Sequence, residues 1–428
     1  MKIYIDTLGC KVNQYESQAL ETVFAARGHE IGTEAAGCDA VVLNSCAVTA
    51  ESVRKSRQAL RRLMAEAPGA VVALCGCWPQ TEPENAAKLG ADVLFGSGDR
   101  LALADAVEEA VASRKKRACV DDALKRRAYE ALPAGNLAGR TRALLKIEDG
   151  CVNFCAYCII PYARGPVRSL PLADVAAEAA ALAARGYREI VITGIEIASY
   201  GRDLKTADLT DAVAAAAEAA PNVRIRLGSL EPRVITEAFC RRLAALPNVC
   251  PHFHLSLQSG CDATLRRMNR KYDTDRFYES VRLLRDHFDN CGVTTDLITG
   301  FPGETDAEFA QTLAFIRKCA FSGMHIFPYS VRKGTAAAAM PDQLDRAVKA
   351  ERAAEAKKLA ETMRRDFLLA QTGRTLPVLF ETERDGVWQG HAGNYALVRA
   401  AGSELKNREA NVLITAVKNG ALFGKISL

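Results

Sequence analysis

Short apolar runs alternate with amphipathic helical stretches along most of this 428-residue chain. In residues 2–110 the runs KIYID, AVVLN, AVVAL and DVLFG are each followed by a helical pattern. Alternation of this kind predicts a parallel sheet with helices on its faces. The predicted helices lie at Gln14–Arg27, Glu51–Ala65, Pro83–Leu89 and Leu101–Val111.

A second alternating series begins at Arg142 and contains six strand candidates. They are ALLKI, EIVIT, VRIRL, HFHLSL, VTTDLI and MHIFPY, separated by helical patterns. Six β/α units on one sheet predict an open barrel, about three-quarters of the eight-unit form. A long charged helix over Gln343–Ala370 follows the last unit.

The final stretch changes character, because short strand candidates and glycine-rich turns replace the β/α pattern. The runs PVLFE, YALVRA, ANVLITAV and ALFGKIS predict a small all-β barrel of a kind that often binds oligonucleotides. A charged, turn-rich connector precedes the central series. We therefore expect an α/β protein with an N-terminal domain at 1–113, a connector at 114–138, a central barrel at 139–370 and a C-terminal barrel at 371–428.

Composition excludes several classes of protein. No run of 18 uncharged apolar residues is present, and the N-terminus lacks a signal-peptide pattern, so we expect no membrane span and a cytoplasmic location. The 14 cysteines should then be reduced thiols. Between Arg114 and Arg168 there are 12 basic and 5 acidic residues, which form either a solvated face or a contact for nucleic-acid phosphates.

Three cysteines within eight residues give the sharpest chemical signal. Cys151, Cys155 and Cys158 follow the first barrel strand in the pattern C-x3-C-x2-C. Active-site loops of β/α barrels lie at that end of the strands, and iron–sulfur clusters prefer thiolate ligands. Three thiolates on four irons leave one iron free to bind a small molecule. The alternatives are a zinc site with a remote fourth ligand, or packed cysteines.

Three more cysteines share one position relative to their strands. Cys10, Cys46 and Cys77 each stand just beyond an apolar run of the N-terminal series, where ligands bind in open α/β sheets. Buried packing cysteines are the alternative. Cys75 lies two residues from Cys77 and competes with it as the third ligand, although it follows the apolar run more closely.

The C-x3-C-x2-C loop and the segments after the later strands resemble the radical S-adenosylmethionine (SAM) superfamily. In that superfamily the three thiolates hold a 4Fe–4S cluster, SAM binds its open iron, and electron transfer yields a 5′-deoxyadenosyl radical. The resemblance covers about residues 140–371. It implies SAM contacts at the ends of successive strands, namely Gly194, Glu196, Ser229, Glu231, Gln258 and Gly300.

The segments TLGCKVNQYES, NSCAVTAESVRKSR and GCWPQ resemble the N-terminal domain of the methylthiotransferases. That resemblance implies a second 4Fe–4S cluster at Cys10, Cys46 and Cys77, which supplies or carries the inserted sulfur, and a C-terminal RNA-binding TRAM domain. The segments IIPYARG, LGSLEP and HIFPYSVRKGT look most like the MtaB-type branch.

The MtaB-type branch methylthiolates C2 of N6-threonylcarbamoyladenosine at position 37 of tRNA. The implied partners are therefore a tRNA anticodon loop and an electron donor. A second SAM molecule would provide the methyl group. The alternatives are the same chemistry on another modified adenosine or a ribosomal protein, and a non-catalytic, metal-stabilised RNA-binding protein. Trp388, His391, Tyr395 and Arg399 could stack on unpaired bases or form the core of the C-terminal barrel.

Overall fold

The N-terminal sheet of the computed structural model, which describes residues 1–133 and 141–427, is parallel throughout. Its strands are β1 Lys2–Thr7, β2 Glu30–Ile31, β3 Ala40–Ser45, β4 Val71–Gly76, β5 Val93–Phe95 and β6 Arg117–Cys119, in the spatial order β2-β1-β3-β4-β5-β6. Its helices are α1 Lys11–Ala26, α2 Ala50–Glu66, α3 Cys77–Thr81, α4 Pro83–Ala87 and α5 Arg100–Ser113. Strands β3 and β4 are buried along their whole length, as parallel strands covered on both faces are.

The central strands form an open parallel barrel in two sheets, β11-β10-β7 and β12-β13-β14-β15. A single bridge between Ile225 and Val249 joins them. The strands are β7 Arg142–Lys146, β8 Glu148–Asp149, β9 Arg168–Ser169, β10 Glu189–Thr193, β11 Arg224–Leu227, β12 Ser229–Leu230, β13 His252–Gln258, β14 Gly292–Thr299 and β15 Gly323–Pro328. All six predicted strands are present; β12 is a short addition, and β8 pairs with β9 in a separate two-stranded ribbon.

Helices cover the outside of this barrel. They are α6 Ile160–Arg164, α7 Leu172–Ala184, α8 Leu209–Ala219, α9 Glu237–Ala244, α10 Asp262–Arg267, α11 Thr274–His287, α12 Asp306–Cys319 and α13 Arg346–Leu369. Inward-facing apolar residues of α7 and α8 pack on β7 and β10 in the largest hydrophobic core of the molecule. Capping boxes at Asp208 and Thr305 fix the starts of α8 and α12.

The C-terminal strands close into a five-stranded barrel, as expected of a TRAM domain. They are β16 Thr375–Arg384, β17 Val387–Ala392, β18 Leu397–Ala401, β19 Glu409–Lys418 and β20 Ala421–Ile426. The sequence pattern missed β17, whose residues VWQGHA include a glycine and little alternation. The α/β fold class with its three parts is therefore confirmed.

The C-terminal barrel docks on the N-terminal ends of the central strands. The ring of Tyr395 stacks on His252 and His391, with centroid separations of 4.7 and 4.9 Å. The Arg226 guanidinium lies 4.8 Å from the same ring. Tyr395 and His391 therefore join the two barrels.

The segment between the N-terminal domain and the central barrel differs from expectation in one respect and is only partly described. The turn-rich part of the expected connector, and the boundary expected at residue 139, lie outside the described residues. The basic window does not form one surface, because Lys146, Arg164 and Arg168 are buried in the protein. Among the described residues, no helix has the length and apolar character needed to cross a membrane.

Candidate active site

The three-thiol loop lies at the carboxyl end of the first barrel strand. Gly150 precedes it with φ +97°, and a Cβ atom there would lie 2.0 Å from the carbonyl oxygen of Pro166, so only glycine allows this turn. The Cys151 N–H donates to the Gly165 carbonyl over 2.9 Å, and the Cys158 N–H donates to the Cys155 carbonyl over 2.9 Å. The loop is thus folded back on itself, and Cys155 and Cys158 share one turn.

The barrel holds this loop through its later strand ends. The Ala156 N–H donates to the Met268 carbonyl, and the Ala337 N–H donates to the Ala156 carbonyl. The Tyr157 ring meets the Phe301 ring edge-on at 6.5 Å. The loop is therefore fixed by packing as well as by its own hydrogen bonds.

The thiols of the loop influence one another. Burial raises the pKa of Cys151, and Glu196, Cys158 and Cys155 raise it further. Burial raises the pKa of Cys158 to about 12, and Cys155 acts in the same direction. Clustered thiols of this kind favour a bound cationic centre, because coordination removes the proton.

Arg270 supplies a positive charge to the same loop. Its Nη1 atom donates to the Cys155 sulfur over 3.1 Å, and its Nη2 atom donates to the Ser256 carbonyl over 3.2 Å. The guanidinium also lies 4.8 Å from the centroid of the Tyr272 ring. No sequence pattern points to Arg270, because no spacing rule connects it to Cys155, which lies 115 positions earlier in the chain.

Four of the six SAM-contact candidates lie near the loop. Gly194 lies directly against the Glu148 carboxylate, and the Glu196 N–H donates to that carboxylate over 2.7 Å. Burial raises the pKa of Glu196 to about 7; Arg270 opposes the rise and Glu231 adds to it. The Ser229 hydroxyl lies 3.1 Å from that of Ser256, which adjoins Arg270.

The remaining two candidates are placed differently. Gln258 ends β13 after a register shift and has φ +68°. The Gly300 N–H donates to the Glu304 carboxylate over 2.7 Å, and the glycine packs on Lys349 of α13. The Gly300 turn thus reaches the three-thiol loop through its neighbour Phe301.

The second cysteine set lies at the carboxyl ends of three adjacent strands, β1, β3 and β4. Burial raises the pKa of Cys77 to about 12, Arg164 opposes the rise, and Cys46 and Cys10 add to it. Gly76 has φ +100°, and a Cβ atom there would lie 2.5 Å from the Ser45 carbonyl oxygen. This close approach brings the start of α3, and Cys77 with it, beside the end of β3.

Cys75 points to the other face of the sheet. It packs with Phe95 and Leu103 in one hydrophobic cluster, whereas Cys77 packs with Trp78 in another. Burial raises the pKa of Cys75 to about 11, and the charged groups around it are Arg100, Glu16 and Arg164 rather than the other thiols. The structure therefore brings Cys10, Cys46 and Cys77 together and leaves Cys75 in the core.

A buried network of charges joins the two thiol groups. Arg164, at the end of α6, donates to Glu16 and, over 2.8 Å, to the Asn13 side-chain oxygen. Asn13 in turn donates to the Ser45 carbonyl, next to Cys46. The five-residue helix α6 follows the three-thiol loop and ends at Arg164, so it connects the loop to this network.

Glu16 is the centre of that network. Its carboxylate contacts Arg164, lies 2.8 Å from the Arg100 guanidinium and 3.7 Å from the Lys146 ammonium, and all four side chains are fully buried. Burial alone would raise the pKa of Glu16, but Arg100, Arg164 and Lys146 lower it well below its usual value. The network joins α1 and α5 to the central barrel.

Glu16→Gln should destabilise the protein strongly, because it leaves buried guanidinium groups without their carboxylate. Removing one partner of a buried ion pair costs about 3–5 kcal/mol. We expect the midpoint of urea unfolding to fall accordingly. Glu84→Gln, at an exposed position on α4, is the matched control. Equal midpoints for the two variants would contradict this account of Glu16.

Neither thiol group is arranged for a single metal ion. Across residues 1–133 and 141–427, no three His, Cys, Asp or Glu side chains form a group that could hold one ion. The thiolates of a 4Fe–4S cluster bind separate irons, so they stand further apart than the four ligands of one zinc ion. The three thiols of the 151–158 loop fit the thiolate ligands of a 4Fe–4S cluster.

A parallel open barrel with three thiols after its first strand defines a radical SAM enzyme. Residues 145–316 match the Radical SAM superfamily, and residues 2–96 match a family described as Uncharacterized protein family UPF0004. The SAM methyltransferase TsrM from Kitasatospora setae has the same fold, with a TM-score of 0.54, 16% identity, and coverage of 76% of this chain and 74% of that chain.

Similar curated proteins identify the family within the radical SAM superfamily. The threonylcarbamoyladenosine tRNA methylthiotransferase MtaB of Bacillus subtilis is 37% identical over 93% of this chain and 90% of its own. The tRNA-2-methylthio-N(6)-dimethylallyladenosine synthase of Pelotomaculum thermopropionicum is 32% identical over 100% of this chain and 98% of its own. This chain belongs to the radical SAM methylthiotransferase family, and membership implies a 4Fe–4S cluster and SAM.

Proposed function

We propose that this protein inserts a methylthio group at C2 of N6-threonylcarbamoyladenosine at position 37 of tRNA. The observation that carries the proposal is the pair of three-thiol groups on the two sides of α6, joined through Arg164 and Asn13. The names of the MtaB relatives support the substrate.

The first group prepares the radical. Cys151, Cys155 and Cys158 would hold a 4Fe–4S cluster, which would supply the electron for the reductive cleavage of SAM. Arg270 stabilises negative charge on the Cys155 sulfur. We assign Gly194, Glu196, Ser229, Glu231, Gln258 and Gly300 to the SAM site.

The second group provides sulfur. Cys10, Cys46 and Cys77 would hold a second 4Fe–4S cluster, which would supply or carry the sulfur for C2. Trp78 and Leu43 pack beside Cys77 and keep water from that side of the group. Asn13 orients the Cys10 turn, because its amide donates to the Leu8 carbonyl over 2.9 Å.

The RNA would approach from outside the barrel. Loop bases are already partly unstacked, so position 37 can enter the barrel at little cost. Exposed basic side chains between residues 114 and 168, such as Lys115, Lys116 and Arg127, are free to contact phosphates of the RNA backbone. The proposal includes the division into residues 1–113, 114–138, 139–370 and 371–428, with the last as the TRAM domain, except that β6 at Arg117–Cys119 extends the N-terminal sheet past residue 113.

Mass spectrometry of tRNA nucleosides from a deletion strain tests this function. The methylthio form of N6-threonylcarbamoyladenosine should disappear while its precursor accumulates, and the intact gene should restore it. Loss of the dimethylallyl compound instead would assign the substrate named for the Pelotomaculum relative. Unchanged tRNA nucleosides would exclude a tRNA substrate.

A further inference from the structure

A cavity of about 390 Å³ lies where the N-terminal domain, the central barrel and the C-terminal barrel meet. Its walls include Lys11 and Gln14 of α1, Arg142 and Arg226 of the central strands, and Glu381 and Tyr395 of the C-terminal barrel. This volume suits a small ligand group, for which protein pockets range from roughly 300 to 1,000 Å³.

The two arginines of the cavity are neutralised by carboxylates. Arg226 pairs with both oxygens of Glu189, at 2.8 and 3.0 Å. Arg142 lies 2.5 Å from Glu381 and 3.5 Å from Glu189. These pairs leave the arginines with little charge to offer a ligand.

Lys11 is different, because its ammonium has no such partner. Among the residues that the structure describes, no carboxylate lies within 4.0 Å of it, although the residue is exposed towards the cavity. The cavity therefore carries one uncompensated positive charge, which favours an anionic ligand group.

The position of Lys11 relates this charge to the reaction. Lys11 directly follows Cys10, so its side chain starts from the thiol group assigned to sulfur delivery. In a purine, C2 and C6 are both bonded to N1, so a substituent on N6 begins close to the carbon that receives sulfur. The threonylcarbamoyl substituent ends in a carboxylate.

We propose that Lys11 binds the carboxylate of the amino-acid substituent on N6 of the target adenosine. This assignment rests on the proposed function and deepens it, since it names the group that selects the substrate. A dimethylallyl substituent has no charge and would leave the Lys11 ammonium without a partner, which disfavours that substrate.

Turnover of two anticodon stem-loops tests the assignment. One carries N6-threonylcarbamoyladenosine at position 37, and the other carries its methyl ester, which removes the negative charge. The wild-type enzyme should prefer the acid in kcat/KM by roughly 10- to 100-fold, the range expected of a hydrogen bond between charged groups. Lys11→Gln should lose that preference, and Lys11→Arg should retain most of it.

Lys88→Gln, at an exposed position just after α4, is the control and should keep the full preference. Iron content and SAM cleavage without RNA show whether each variant is folded and loaded. An equal loss for both stem-loops in Lys11→Gln would indicate a phosphate contact and overturn the assignment, as would an unchanged preference. A wild-type enzyme that modifies neither stem-loop would instead refute the proposed function.

Discussion

Replacement of Cys151, Cys155 or Cys158 by alanine should reduce SAM cleavage to the background rate and abolish methylthiolation. No side chain of the protein can generate a radical able to attack an unactivated C–H bond, so the loss should be complete. The measurement is 5′-deoxyadenosine formed under reducing conditions, together with iron content. With a 4Fe–4S cluster at each thiol group, as proposed, iron should fall from about eight to about four atoms per chain.

The matched control for this loop is Cys261→Ala. Cys261 is also a buried cysteine just past a central strand, but its sulfur lies 3.3 Å from the Gln311 side-chain oxygen rather than near the loop. It should keep all its iron and SAM cleavage. Substantial 5′-deoxyadenosine from a Cys151→Ala enzyme would refute the assignment of this loop.

Cys77→Ala should stop sulfur insertion while SAM cleavage continues. Radical formation depends on the other thiol group, so 5′-deoxyadenosine should still appear, now uncoupled from product. Iron should again fall from about eight to about four atoms per chain. Mass spectrometry of the RNA product, set against 5′-deoxyadenosine, separates this defect from that of the 151–158 loop.

Cys75→Ala is the matched control, since Cys75 lies near the end of β4, two residues before Cys77 at the start of α3. Its side chain packs with Phe95 and Leu103 in the core, so its loss should cost only about 1 kcal/mol of stability. Iron content and product formation should be unchanged. If Cys75→Ala lost iron and Cys77→Ala did not, the third ligand would be Cys75.

Local sequence pattern was sufficient to predict most of the regular structure. The run AVVLN predicted β3, and the barrel runs predicted six parallel strands, because parallel strands covered on both faces are almost wholly apolar. The short elements β2, β6 and β17 were missed. They have two, three and six residues, and their pairing partners rather than their own sequences make them strands.

The residues of the candidate site were likewise only partly predictable from the sequence. Cysteines at strand ends could be found from the chain alone, but residues two apart along a strand face the same side, so only the end of β4 at Gly76 and the start of α3 separate Cys77 from Cys75. Arg270 and Glu16 could not be found in this way. Their roles depend on partners more than 80 positions away along the chain, such as Cys155 and Arg100, and only the tertiary fold brings these together.

The buried charges around Glu16 also limit how this architecture can be recombined. Arg164 and Lys146 belong to the central barrel, while their shared carboxylate comes from the N-terminal domain. A truncated protein that began at the central barrel would leave Lys146 and Arg164 without their carboxylate. A chimera would need an acidic residue at the position of Glu16. The N-terminal domain therefore cannot be exchanged alone, and gene fusions should keep this junction intact.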